Sequence, residues 1–212
     1  MIQVRPVHIL CDMDGTIIDT EGLKCEAWRR AVAEVSGREP DVAAHHGVYA
    51  RLVGGTGAQI AHALIDHYGL VVSAEDLWQR RERFRREAYE DPAALRGRAI
   101  TPVIECIRSI RAGLGVLGGG STVLVTSATK EQMDRVMAIL DVGSLFDEMI
   151  WGLEKSEENP ACYLAALEAL GAAPEDCLAL EDTLVGYRAA RAAGVPCLLL
   201  PNAYTQEQRL AG

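Results

Sequence analysis

The segment that decides the fold is VHILCDMDGT at residues 7–16, an apolar run followed directly by two aspartates. Short, uniformly apolar runs of this kind are typical of strands buried on both faces of a parallel sheet. Similar runs recur along the chain as TVLV (122–125), CLAL (177–180) and VPCLLL (195–200), with EMIW (148–151) as a weaker candidate. Helical patterns lie between these runs, which predicts an α/β fold with a Rossmann-like, doubly wound parallel sheet.

Capping residues mark the ends of the helices between the strands. Thr129 and Gln132 form a capping box, and Pro160 opens a helix that Gly171 closes. The glycine-rich stretch GLGVLGGGS at residues 113–121 predicts a flexible loop before the second strand.

A long stretch separates the first two strands. The second apolar run begins more than a hundred residues after the first, whereas a crossover between parallel strands needs only a few tens. Residues 20–100 contain only helical signals, such as Gly69 as a stop and Ser73 as an N-cap. We therefore predict a Rossmann-like core formed by residues 1–19 and 101–212, with an all-helical subdomain inserted at residues 20–100.

Composition excludes several classes of protein. Thirty acidic residues against 21 basic ones give a formal charge of −9, which disfavours nucleic acid and anionic lipid as partners. No apolar run approaches the ~20 residues needed to span a bilayer, and the six cysteines contain no CxxC pair. We expect a cytoplasmic protein with reduced cysteines, without nucleic-acid or membrane partners, as a monomer or homodimer.

Acidic residues follow two of the predicted strands. Asp12 and Asp14 come after the first, and Glu181 and Asp182 come after the run at 177–180. In an open parallel sheet the carboxyl ends of the strands form the ligand site, so these four carboxylates should gather and require a cation. Oxygen ligands suit Mg²⁺, which also takes a substrate phosphate as a ligand. The pattern predicts a magnesium and phosphate site, although acids such as Asp182 also cap helices.

The motif CDMDGTIIDTE (11–21) resembles the first motif of the haloacid dehalogenase superfamily, in its phosphatase and β-phosphoglucomutase-like branch. LVTSAT (124–129) and LEDTLVGYRAARAAG (180–194) follow in that family's order, and the resemblance spans nearly the whole chain. It implies that Asp12 is a nucleophile that forms an aspartyl phosphate, and that Asp14 is the general acid and base. A carboxylate can attack phosphorus when cations neutralise the phosphoryl oxygens.

The family's second motif corresponds to Thr126, with Ser127 beside it. The resemblance implies that Thr126 contacts the transferring phosphoryl group. Ser127 is a second candidate for substrate contact. Both residue types also cap helices, and a helix follows directly, so a capping role is the alternative.

The third motif departs from the family pattern. Relatives carry a lysine, Pro-x-Pro and an acid before an aromatic at a fixed offset, and counting back from Tyr163 reaches Glu157. Lys155 lies two residues earlier, in WGLEKSEENPACYL (151–164). We interpret this as a lengthened loop that still delivers Lys155 to the phosphoryl oxygens and to Asp12. The alternative is a solvated lysine among glutamates.

The resemblance also implies that residues 20–100 form a helical cap over the site that selects the leaving group. In β-phosphoglucomutase relatives a histidine, a lysine and an arginine of this region serve phosphate transfer, whereas the corresponding residues here are Lys24, Val53 and Gly57. We therefore expect a Mg²⁺-dependent phosphatase acting on a small phosphorylated sugar, polyol or hydroxy acid. The candidate substrate contacts in the cap are Lys24, Arg51 and Thr56.

Three alternatives to this function stay open. A β-phosphoglucomutase-like phosphomutase shares the catalytic acids. A phosphonate hydrolase would need a Schiff-base lysine in the cap, for which Lys24 is the candidate. A catalytically dead binding module is a non-enzyme alternative, and the intact Asp12, Asp14 and Asp182 argue against it.

Overall fold

The computed structural model of the chain describes residues 8–53, 56–117 and 119–205. These described residues form five strands and nine α-helices. In chain order they are β1 (His8–Cys11), α1 (Thr20–Ser36), α2 (Val42–Ala50), α3 (Gly57–Tyr68), α4 (Ala74–Glu90), α5 (Pro92–Arg96), α6 (Thr101–Leu117), β2 (Thr122–Val125), α7 (Lys130–Leu140), β3 (Glu148–Ile150), α8 (Ala161–Leu170), β4 (Cys177–Glu181), α9 (Leu184–Ala192) and β5 (Cys197–Leu199).

The described chain groups into two compact units. We call residues 8–19 and 99–202 the core unit, and residues 20–98 and 203–205 the helical unit. Residues 203–205 lie outside the inserted segment, yet they group with it because the Tyr204 ring packs 4.4 Å from the ring of His46.

The core unit contains a parallel sheet in the order β3-β2-β1-β4-β5, which confirms the predicted α/β fold. The register places Cys11, the last residue of β1, opposite Leu124 of β2 and Leu180 of β4. The Asp12 amide then donates to the Leu180 carbonyl at 3.0 Å. The residues that follow β1, β2 and β4 are therefore brought to one edge of the sheet.

Helix ends follow the predicted caps in most places. Thr129 and Gln132 form the capping box of α7, and Gly171 ends α8 in the left-handed conformation with φ 58°. The predicted loop at 113–121 is wrong in its first part, because α6 continues to Leu117. Packing of buried Ile107 on α6 outweighs the roughly 0.5–1 kcal/mol that a helical glycine costs. Residue 118 lies outside the described residues.

The helical unit has its own apolar core. Trp28 of α1 is fully buried and its ring lies 5.9 Å from that of Trp78 of α4. The predicted helix signals are found here, since Gly69 ends α3 with φ 61° and Ser73 caps α4 by accepting from the Asp76 amide. None of the described helices has the length and apolarity needed to cross a membrane.

Candidate active site

Asp12 lies buried directly after β1, at the centre of the sheet edge. Its side chain is 5% exposed. One carboxylate oxygen accepts from the Thr16 hydroxyl at 3.2 Å, and the other accepts from the Lys155 ammonium. Buried ionisable groups with charged partners cluster at functional sites, so this placement makes Asp12 a candidate catalytic residue.

Lys155 reaches this carboxylate from the segment that follows β3. Its ammonium donates to the Val125 carbonyl at 3.0 Å and lies 3.0 Å from Glu181 Oε1. The side chain is 9% exposed, so Lys155 is buried rather than solvated among the neighbouring glutamates. The two-residue displacement in the sequence therefore does not keep the ammonium from Asp12.

Glu181 and Asp182 lie at the end of β4 and are both buried. Together with Asp12 they offer three carboxylate oxygens that all lie within 4.8 Å of one another. Thr183, rather than Asp182, caps α9, since its hydroxyl accepts from the Gly186 amide at 3.1 Å. We call Asp12, Glu181 and Asp182 the acidic group.

Asp14 lies outside the acidic group, although the sequence predicted a four-acid site. Its carboxylate instead accepts from the Thr126 hydroxyl at 3.3 Å. Asp14 is nevertheless close enough to Asp12 for its charge to help raise the pKa of the Asp12 carboxyl.

Two glycines allow the acidic group to form. Gly15 has φ +89°, and a Cβ there would overlap the carboxylate of Asp182. A Cβ at Gly186 would overlap the carboxylate of Glu181 in the same way. A side chain at either position would displace an acid, so the turn after Asp14 and the first turn of α9 both require glycine there.

The donor set of the acidic group fits a divalent cation. All its ligand atoms are carboxylate oxygens, which hard cations such as Mg²⁺ prefer. Three buried carboxylates so close together repel one another, and a divalent ion would relieve that repulsion. Asp12, Glu181 and Asp182 are therefore the residues that could hold a metal.

Electrostatics at Asp12 and Lys155 reflect this excess of acid. Burial raises the pKa of the Asp12 carboxyl well above its ordinary value, and repulsion from Glu181 adds to the effect while Lys155 opposes it. Burial alone would lower the pKa of the Lys155 ammonium, but the charges of Asp12 and Glu181 outweigh it and raise that pKa above its usual range. Lys155 therefore remains a cation in the site.

Thr126 and Ser127 occupy the end of β2. Thr126 is fully buried, and its hydroxyl oxygen accepts from the Ala128 amide at 3.0 Å. Ser127 is exposed. Thr129 provides the side-chain cap of α7, so neither Thr126 nor Ser127 is needed for that role.

The other predicted substrate contacts belong to the helical unit. Lys24 on α1 lies 2.5 Å from Glu21 Oε1, and Arg51 is an exposed residue at the end of α2. Thr56 caps α3 in a capping box with Gln59. Residues 54 and 55 of the glycine-rich turn lie outside the described residues.

Three residues near the acids were missed by sequence reasoning. Thr16 donates to Asp12, and Tyr163 donates from its buried hydroxyl to Glu181 Oε1. Asn202 donates to Asp182 Oδ2 at 2.8 Å. Thr16 belongs to the DMDGT motif. The signals for the other two residues were weak: Tyr163 is the aromatic that follows the third motif, and Asn202 comes after the last apolar run.

Comparison with known proteins agrees with the resemblance read from the motifs. Residues 7–194 match the family described as haloacid dehalogenase-like hydrolase. Hexitol phosphatase B of Escherichia coli is 30% identical over 207 residues, which cover 90% of this chain and 81% of that protein. The phosphorylated carbohydrates phosphatase of Thermotoga maritima is 27% identical, covering 88% and 81%.

A solved structure shares the fold. The crystal structure of CbbY from Rhodobacter sphaeroides in complex with phosphate gives a TM-score of 0.64 at 22% identity, covering 97% of this chain and 90% of that one. The family resemblance predicted from the sequence is confirmed by the match over residues 7–194.

Proposed function

Because this chain belongs to the haloacid dehalogenase-like hydrolase family, we propose that it is a Mg²⁺-dependent phosphatase that works through an aspartyl phosphate on Asp12. The observation that carries the proposal is the buried Asp12 carboxylate, which contacts the Lys155 ammonium and lies within 4.8 Å of two further acids. The proposed substrate is a small phosphorylated sugar, polyol or hydroxy acid. The names of the hexitol and carbohydrate phosphatase relatives support this class.

In the first proposed step Asp12 attacks the phosphorus of the ester. An oxygen–phosphorus bond forms to the carboxylate while the bond from phosphorus to the leaving oxygen breaks. Asp14 gives its proton to the leaving alcohol. In the second step Asp14 takes a proton from water as that water attacks the phosphorus, which releases inorganic phosphate and restores the Asp12 carboxylate.

Lys155 and a divalent ion held by the acidic group are proposed to neutralise the charge of the phosphoryl oxygens. Lys155 offers a buried ammonium beside Asp12, where it can pair with the phosphoryl oxygens, which carry negative charge in the transition state. Asp12, Glu181 and Asp182 would hold Mg²⁺, which when bound supplies Lewis-acid stabilisation to the phosphoryl oxygens. Thr126 hydrogen-bonds Asp14 and is the proposed phosphoryl contact at the end of β2.

Substrate selection is proposed for the inserted helices. As the family resemblance implies, the segment at residues 20–100 is proposed to act as a cap. Its proposed contacts to the leaving group are Lys24, Arg51 and Thr56. Ser127, exposed beside Thr126, is a further proposed contact in the core unit.

Phosphate release from a panel of sugar, polyol and hydroxy-acid phosphates, measured with Mg²⁺, tests the proposal. We expect turnover of at least one member and its loss in Asp12→Asn, which keeps the shape of the side chain. Asp134→Asn is the matched control, because Asp134 is an exposed acid paired with Lys130. Turnover of no member, or full activity in Asp12→Asn, would contradict the proposal. Product that keeps its phosphate at a new position, seen by phosphorus NMR, would indicate a phosphomutase instead.

A further inference from the structure

Tyr163 places a polar atom deep in the core unit. It lies in the first turn of α8, and its side chain is fully buried in the apolar cluster that includes Leu10 and Val123. A buried tyrosine hydroxyl needs a hydrogen-bond partner, and a phenylalanine would pack against the same neighbours without that requirement. Packing alone therefore does not account for the hydroxyl of Tyr163.

The partner of this hydroxyl is Glu181 of the acidic group. Tyr163 donates to Glu181 Oε1, the same oxygen that lies 3.0 Å from the Lys155 ammonium. The other side of this carboxylate faces Gly186, where a Cβ would overlap it. Tyr163 and Lys155 thus both contact Oε1 of Glu181, and the backbone of α9 at Gly186 packs closely against the same carboxylate.

We propose that Tyr163 is a positioning residue, whose hydroxyl fixes the Glu181 carboxylate and thereby sets the affinity of the acidic group for Mg²⁺. The inference rests on the proposed function, in which Glu181 is a metal ligand. Groups that hold a ligand by hydrogen bonds orient it for the metal, and their loss typically lowers metal affinity roughly 10- to 100-fold. Without the hydroxyl, Oε1 keeps Lys155 as its remaining described donor, and the carboxylate gains freedom to turn toward that ammonium.

Tyr163→Phe isolates the hydroxyl. The Tyr163 ring lies 5.9 Å from the Lys155 ammonium, and phenylalanine preserves that contact as well as the packing of α8. The matched control is Tyr187→Phe, which removes the hydroxyl of a half-buried tyrosine on α9.

The test is the dissociation constant for Mg²⁺, measured by titration calorimetry on the full chain without substrate. We expect Tyr163→Phe to raise it roughly 10- to 100-fold and Tyr187→Phe to leave it unchanged. At saturating Mg²⁺ the KM of Tyr163→Phe should match that of the parent. Its unfolding temperature should rise less on adding Mg²⁺ than that of the parent, a difference that a purely structural role would not produce.

Three results would overturn the inference. One is a Mg²⁺ dissociation constant for Tyr163→Phe within twofold of the parent's. The second is a variant that fails to fold even with Mg²⁺, since Tyr163 would then serve stability. The third is a parent that binds no Mg²⁺, which would also remove the metal from the proposed function. Because calorimetry needs no substrate, a failed substrate panel leaves this test intact.

Discussion

Replacing Lys155 with methionine removes the buried cation that contacts two members of the acidic group. Methionine keeps much of the length and apolar stem of the side chain, so the main change is the loss of charge. The Lys155 side chain is 9% exposed, and its ammonium contacts Asp12 and lies 3.0 Å from Glu181 Oε1. Removing one partner of a buried ion pair costs about 3–5 kcal/mol, because the remaining charge is left uncompensated.

This cost converts to a measurable change in melting temperature. For a chain of this size, 1 kcal/mol shifts the melting temperature by about 2–4 °C. We therefore expect Lys155→Met to melt roughly 6–20 °C below the parent at neutral pH in the presence of a chelator. Saturating Mg²⁺ should restore part of the loss, since a divalent ion on the acidic group replaces the missing positive charge.

Circular dichroism during thermal unfolding measures the effect, and Lys130→Met is the control. Lys130 also pairs with an acid, Asp134 at 2.6 Å, but its side chain is 58% exposed. Exposed pairs contribute about 0–1 kcal/mol, so this variant should melt within a few degrees of the parent. If Lys155→Met melts as high as Lys130→Met, the acidic group does not depend on the Lys155 charge and the reasoning fails.

Further predictions concern a turn in the core unit and a histidine in the helical unit. Gly15→Ala should abolish phosphate release and weaken Mg²⁺ binding, because Gly15 has φ +89° and a Cβ there would displace Asp182. The control is Gly113→Ala, since Gly113 lies on α6 and its new Cβ would have no neighbouring atom within 4 Å. Unchanged Mg²⁺ binding by Gly15→Ala would show that the close approach of Gly15 to the Asp182 carboxylate does not matter for the metal site. Burial lowers the pKa of His45 to about 4, so the folded state favours the neutral imidazole. The contribution of His45 to the free energy of unfolding is therefore fully present above pH 6.5. That contribution is lost as the pH falls from about 6.5 toward 4. The free energy of unfolding measured with urea should therefore fall by about 2 kcal/mol by pH 5, and this fall should be absent in His45→Gln. An equal pH dependence in parent and variant would refute the role of His45.

Much of the fold could be predicted from the sequence because the parallel sheet leaves short apolar runs. β1, β2 and β4 are buried on both faces, so nearly every residue in them is apolar and each run stands out from the amphipathic helices. The prediction was wrong at one place, where the glycine content of residues 113–121 predicted a loop. There α6 continues to Leu117, because the packing of its buried face outweighs the free-energy cost of helical glycine.

The residues of the candidate site divide along physical lines. Asp12 and Asp182 could be located because strand ends converge at one sheet edge, a rule that needs no side-chain detail. Tyr163 and Asn202 could not, since their contacts join residues far apart in sequence and depend on tertiary packing. The place of Asp14 stays a prediction: its carboxylate accepts from Thr126, a contact between residues 112 positions apart that the sequence pattern does not reveal.

The proposed phosphatase depends most directly on covalent chemistry at Asp12. The decisive measurement uses a turned-over substrate labelled with radioactive phosphorus, rapid quenching in acid, and peptide mapping of the protein. We predict that label appears on the peptide containing Asp12 before phosphate is released, and that Asp12→Asn carries none. Phosphate release at the full rate with no label on the protein would contradict the account.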